Sequence, residues 1–246
     1  LGTRARPNFR LESNMTGLDL STGSLRDVNA ALQAAESGEF VITHPQGAHA
    51  LACGLNASVE VKIEGPVGYY CAGMNQLATV LVDGNAGTGL AENIMSGSVT
   101  ITGNAGQSAA ATGHGGLVVI QGDASARCGI SMKGVDIVVG GNVGHMSAFM
   151  AQAGNLVVLG DAGDDLGDSI YEARLFVRGS VASLGADCIE KEMRPEHLEF
   201  LTTCLTESGM NADVSDFRRY GSARTLYNFQ PDDVDAASES TERSDG

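Results

Sequence analysis

Residues 97–106 read GSVTITGNAG, and nineteen positions later residues 116–125 read GLVVIQGDAS. In both, aliphatic residues alternate (Val99 and Ile101, then Val118 and Ile120) and run into a glycine, Gly103 or Gly122. Period-two alternation ending at a glycine is the pattern of a short strand entering a tight turn. Working outward in both directions gives seven copies, with corner glycines Gly65, Gly84, Gly103, Gly122, Gly141, Gly160 and Gly179, every interval being nineteen. Two positions before each stand Ile63, Val82, Ile101, Ile120, Val139, Val158 and Val177. Four before stand Val61, Val80, Val99, Val118, Ile137, Leu156 and Leu175. Seven after, every residue is small: Ala72, Ala91, Ala110, Gly129, Ala148, Gly167 and Ala186.

A unit that recurs at constant length stacks on its neighbour and buries the same columns each time. The chain is therefore expected to be all-β, a right-handed parallel β-helix of about seven 19-residue coils with aliphatic ladders inside. At the usual strand spacing of ~4.8 Å the coils build a prism roughly 34 Å long. The corner glycines are expected to adopt positive φ or to let neighbouring coils approach closely. The small column marks a wall with no room for bulk. A left-handed hexapeptide helix is excluded because the period is not a multiple of six, and a leucine-rich repeat because its Leu and Asn columns are absent.

The flanks divide the chain further. Residues 1–39 read as an arm and capping helix, opened by the capping box Ser24-Leu25-Arg26-Asp27, with Leu25, Val28 and Leu32 on its apolar face. Residues 40–190 are the β-helix, in which Phe40 and Ile42 begin a degraded eighth coil one period before Val59 and Val61. Residues 191–230 hold a second helix that starts at Pro195, carries Leu198, Leu201 and Leu205 and stops at Gly209, followed by an extended segment. Both helices are expected to close the open ends of the prism, since an uncapped β-helix presents a raw strand edge. Residues 231–246, acidic and free of aromatics, read as a disordered tail.

Composition narrows the function. Thirty acidic against fifteen basic residues give a formal charge of −15, which argues against nucleic acid as a partner. No apolar run approaches the ~18 residues of a membrane span, so a cytoplasmic protein without a membrane role is expected. Five scattered cysteines without a CxxC pair read as reduced thiols.

The recurring G-x-x-G corners (GPVG, GNAG, GNAG, GNVG and GDAG) resemble those of the C-terminal β-helix domain of the glutamate synthase large subunit, over about residues 40 to 190. The flanking segments LDLSTGSLRDVNAALQ (18–33) and DFRRYGSARTLYNF (216–229) are similar to the stand-alone version of that domain, found where glutamate synthase is split into separate polypeptides. N-methylglutamate synthase, which makes N-methylglutamate and ammonia from methylamine and glutamate, is the best-known such system. The resemblance implies a non-catalytic structural subunit of a hetero-oligomer. An FMN-binding partner would carry the flavin and an iron–sulfur cluster, and a glutamine amidotransferase-like partner would carry the cysteine nucleophile. A β-helix subunit of another oxidoreductase, such as formylmethanofuran dehydrogenase, is the alternative, and a free-standing carbohydrate-active β-helix enzyme is a third reading.

No catalytic, cofactor-binding or metal-binding residue is assigned to this chain. Cys71 and Cys128 share a column three coils apart, too far for a disulfide. His44 and His49 have no ligand partner at metal spacing, and the acidic run Gly160–Asp168 keeps the 19-residue register, reading as a solvated turn. The candidate partner-docking residues are Phe217, Arg218, Arg219, Tyr220, Arg224, Tyr227 and Phe229, where aromatic and cationic anchors concentrate on an otherwise acidic protein. The competing reading is a strap running back along the β-helix.

Overall fold

The structure, a computed structural model, describes residues 15–224. Nine strands stack in parallel: β1 (Thr16–Asp19), β2 (Ser37–Thr43), β3 (Ser58–Glu64), β4 (Thr79–Val82), β5 (Ser98–Ile101), β6 (Leu117–Ile120), β7 (Lys133–Val139), β8 (Ala153–Val158) and β9 (Arg174–Val177). From β3 to β9 the paired residues lie nineteen positions apart, except at the start of β7, where Lys133 pairs with Ala153 and a register shift precedes Asp136. The column starting at Val61 and the column starting at Ile63 thus become two continuous ladders inside a parallel β-helix, each rung essentially without solvent contact. Each such side chain contributes roughly 1.5–3 kcal/mol of gross burial.

The corner is tighter than alternation alone implies. The N–H of Gly103 donates to the carbonyl of Gly84 at 3.0 Å, and Gly122, Gly141, Gly160 and Gly179 repeat this at 2.9–3.0 Å up the stack. None of these six glycines from Gly84 onward has positive φ; of the seven only Gly65 does, at 133°. Close approach is the constraint, therefore, and not backbone conformation. A Cβ on Gly103 would lie 2.2 Å from Asn85 Oδ1 and 2.7 Å from the Gly84 carbonyl oxygen.

That Asn85 contact belongs to a second ladder. The residue after each corner glycine donates its N–H to the side-chain oxygen of its counterpart one coil earlier: Asn104 to Asn85, Asp123 to Asn104, Asn142 to Asp123, Asp161 to Asn142 and Ser180 to Asp161, at 2.7–2.8 Å. The carbonyl that would take this N–H in a plain strand is already engaged: that of Gly84 accepts from Gly103 and that of Gly103 from Gly122. The Asx oxygen fills the gap, which satisfies an otherwise orphaned donor. Asn separates the two acidic rungs, Asp123 and Asp161, so like charges never stack directly.

The eighth coil exists, but its register differs from the expected one. Phe40 and Ile42 pair with Val61 and Ile63, twenty-one positions on, and not with Val59 and Val61. The two extra residues are absorbed one at a time. Ala50, Ala52 and Gly54 match Tyr70, Ala72 and Met74 twenty positions on, and the spacing reaches nineteen at β3–β4. A shift of two preserves the inward and outward faces, so the alternation reads correctly while the pairing does not.

Helix α1 (Leu25–Ala34) closes the first coil as expected. Ser24 caps it, Val28 and Leu32 face the core, and Asn29 holds the Ala50 carbonyl and the Ala52 N–H at 2.8 Å each. β1, within the segment read as an arm, adds a strand to β2. Helix α2 (Pro195–Glu207) does not close the far end. It lies on the outer face of the sheet, where Leu201, Cys204 and Leu205 pack on Val138, Val157, Leu159 and Phe176. The reason lies in the outward column three before each glycine: Lys62, Leu81 and Thr100 give way to Val119, Val138, Val157 and Phe176, a face that needs cover. The far end is closed instead by strands β10 (Cys188–Lys191) and β11 (Arg218–Ser222), with β11 antiparallel between β9 and β10.

Two outcomes test this account. Gly103→Ala should destabilise the fold by about 2 kcal/mol or more, because both clashing groups are held in ladders. Gly17→Ala, where an added Cβ meets nothing within 4 Å, should stay within about 0.5 kcal/mol of wild type in urea unfolding. Equal effects would refute the corner contact. Asp161, whose carboxylate accepts from both the N–H and the hydroxyl of Ser180, is held below the usual carboxylate range by those bonds. Its contribution is present above about pH 4 and is lost as the pH falls through its lowered folded value. Asp161→Asn keeps an acceptor oxygen but removes the titration. The urea midpoint at neutral pH should then change little, and its fall on acidification should become shallower. An unchanged acid limb would contradict the bond.

Candidate functional site

The wall opposite the corner carries the most unusual backbone in the molecule. At positions five, seven and nine after the corner glycine the chain is left-handed in coil after coil: Ser108, Ala110 and Thr112 have φ of 55–57°, and Met146, Ala148 and Met150 of 52–58°. Left-handed non-glycine residues cost energy singly, and here intercoil bonding sustains them. The N–H groups of Ser108 and Thr112 donate to the next coil, that of Ala110 to the previous one, and Ala111 and Gly113 close turns onto Ser108 and Ala110. The small column sits at the middle position, where Ala72, Ala91, Ala110 and Ala148 have no solvent contact. This turn wall is therefore laced by backbone hydrogen bonds between coils, and it carries side chains outward. Tyr69, Tyr70, Met74, Leu77, Met95, Met150 and Tyr171 all stand exposed on it. Tyr69 is held in place there: His49 stacks on its ring at 4.5 Å and accepts its N–H at 2.8 Å.

The candidate docking residues fall into different environments. Phe217 is buried under α2 with Phe176, Tyr220 joins the main core, and Arg219 is buried with Nε on the Glu192 carbonyl at 2.9 Å. Arg218 is exposed and donates from Nη2 to the Gly179 carbonyl at 2.9 Å, thereby capping the glycine ladder at its last free acceptor. Arg224 pairs with Asp187 and lies 5.2 Å from the Tyr171 ring centroid. Tyr227 and Phe229 lie outside the described residues. Within 217–224 the segment is thus a strap woven into the sheet. Deleting it would bare β9 and take Tyr220 out of the core. Each of the seven corner glycines follows the end of its strand by one or two residues.

The titratable groups are largely engaged in structure. All five cysteines are free. Burial pushes the thiols of Cys128, Cys188 and Cys204 up to about 12 and that of Cys71 higher still, which makes all four poor nucleophiles near neutrality. Cys53 stands in a different column from Cys71 and donates its thiol to the Tyr70 carbonyl. His44 pairs with Asp19 at 2.9 Å; the Ser21 N–H and hydroxyl, with His44, hold that carboxyl at about 2. His145 lies 3.5 Å from Asp165, exposed, as its place after a repeat glycine implies. His197 is buried on α2 and accepts the Arg194 N–H. In the acidic run, Asp164 accepts from the Ser183 hydroxyl, the Asp165 N–H donates to that hydroxyl, and Asp168 accepts from the Ser169 hydroxyl and the Ala186 N–H. Under α2, burial raises Asp136, to which Asn155 donates at 2.7 Å. Among the described residues no group of three or more His, Cys, Asp or Glu is arranged to hold a metal ion, and no helix is long and apolar enough to cross a membrane. A small open cleft of about 30 Å³ beside the strap is lined by Tyr171, Glu172, Arg174, Lys191, Arg219 and Ser222.

What sequence reasoning missed was visible as columns not consulted. The Asn/Asp column after the glycine marks the side-chain ladder, and the outward aliphatic column marks the seat of α2. The left-handed wall has a weaker signal, the small column alone.

The fold is a parallel β-helix, and one relative places the chain more narrowly. The chain is 59% identical over 231 residues to Protein GlxC of Rhizobium meliloti (strain 1021), a match that covers 90% of this chain and 100% of that protein. It belongs to the GlxC family. No family model matches the chain, and no solved structure matches it.

Proposed function

We propose that this chain is a non-catalytic structural subunit of a glutamate synthase-like flavoenzyme, with N-methylglutamate synthase the favoured assembly. The observation that carries the reading is the 59% identity to Protein GlxC, which spans that relative from end to end and supports a glutamate synthase-related subunit made of the β-helix itself. The molecule is suited to such work. Its backbone polar groups are bound into intercoil ladders, its four most buried thiols are held protonated, and its exposed apolar side chains concentrate on one wall. A rigid body with one sticky face positions other subunits and supplies no reacting group. In this reading the FMN and the iron–sulfur cluster belong to one partner and the amidotransferase chemistry to another, in the cytoplasm.

Purified alone, the chain should bind no stoichiometric FMN and hydrolyse no glutamine. Mixed with the FMN-bearing and amidotransferase-like polypeptides, it should join a stable complex whose amine-transfer rate falls about ten-fold or more when the chain is omitted. Absorbance and size-exclusion profiles read the first, and product formation from methylamine and glutamate reads the second. A flavin bound to every isolated chain, or full activity without it, would overturn the proposal.

A further inference from the structure

The face through which such an assembly would form can be read from where charge is missing. Among the described residues eight large hydrophobic side chains are substantially exposed, and seven of them stand on the turn wall, with Ile189 the exception. Five of the seven, Tyr69, Tyr70, Met74, Leu77 and Met95, crowd into its first coils, at 47–56% exposure. The stretches 66–77, 85–96 and 104–115, which form this part of the wall and its corner, contain a single Asp, Glu, Lys or Arg, namely Glu92. At the chain's average of 18% charged residues, about six would be expected. Farther along, the matching stretch 142–153 is also free of these residues, whereas 123–134 holds Asp123, Arg127 and Lys133 and 161–172 holds Asp161, Asp164, Asp165, Asp168 and Glu172.

Charge depletion combined with tyrosine and methionine is the composition of an interface core. Methionine adapts its shape, and tyrosine adds area at low entropic cost. The stacking of His49 on Tyr69 fixes one anchor before any partner arrives, which lowers the ordering cost of binding. A second copy of the chain is a poor occupant, because it would bring together two proteins each carrying −15. The wall is also not a strand edge awaiting another strand, since its backbone groups are already paired from coil to coil. At its margin Tyr70 and the Glu92 carboxylate both flank Gly89, and Glu92 forms no ion pair among the described residues.

We propose that residues 69–95 of the turn wall are the docking surface for a different, folded protein subunit, whose contacting face is apolar at its centre and basic at its rim, where it meets Glu92. This rests on the subunit role proposed above and adds the surface that performs it. The test uses the full chain with the FMN-bearing and the amidotransferase-like polypeptides, each purified and added in turn. In the complex that forms, Met74 and Met95 should be protected from dilute peroxide relative to the free chain, as read by peptide mass spectrometry. Met74→Asp combined with Leu77→Asp should leave the melting temperature unchanged, since both side chains are exposed and Asp tolerates the left-handed φ of 55° at position 74. That variant should bind about ten-fold or more weakly, whereas Ile189→Asp, off the wall, should bind as wild type. A complex that forms without protection, or that tolerates the double variant, overturns the docking surface and leaves the subunit role standing. Failure of the wild-type chain to bind either polypeptide overturns both.

Discussion

At each corner of this β-helix two backbones meet with no side chain between them. From Gly103 to Gly179 the N–H of one glycine donates to the carbonyl of the glycine below, and one residue on, an Asn or Asp oxygen receives the next N–H. Both bonds require the coils to be in register, because each donor has one acceptor and that acceptor lies one coil away. The aliphatic ladders tolerate exchange among Val, Ile and Leu, and they do exchange. The corner tolerates only glycine, since a single carbon would fall within 3 Å of the coil below. Constancy of period follows from the corner, and everything that needs constant period follows from that: the stacked strands, the left-handed wall and the capping of the last carbonyl by Arg218.

How much of this the residues announce depends on whether a feature repeats. The strand ladders, the corner and the number of coils are legible because seven copies agree. The first coil is misread by two positions because it is two residues longer, and only its alternation survives the insertion. The place of α2 is misjudged because a helix amphipathic on one side says that it packs, not where. The answer is written in the sheet, in the change from Lys62 and Thr100 to Val138, Val157 and Phe176. The closing segment shows the limits of composition. Arginine and aromatic residues gather both at interfaces and where a terminal strand must be tied down, and here Arg218, Arg219 and Tyr220 hold a strap.

For function the consequence is a division of labour among the walls. One carries the sheet, covered in part by α2; the corner carries the register; the turn wall, its early coils nearly free of charge, is the surface proposed above to meet another subunit. Its most unusual backbone lies on the wall that would be used, where stacked left-handed turns hold tyrosine and methionine side chains outward on a base too rigid to fold them away.

Amide hydrogen exchange, read residue by residue, tests the corner most directly. The N–H groups of Asn104, Asp123, Asn142 and Asp161 belong to residues whose side chains face solvent, so exposure alone would let them exchange quickly. If the side-chain ladder holds as described, they exchange only when the whole β-helix opens, with the same free energy as the buried strand amides of Val99 and Val118. Exchange at the rate of an unprotected peptide at those four positions, with Gly103, Gly122, Gly141 and Gly160 still protected, would contradict the ladder and leave the glycine contact alone to set the period.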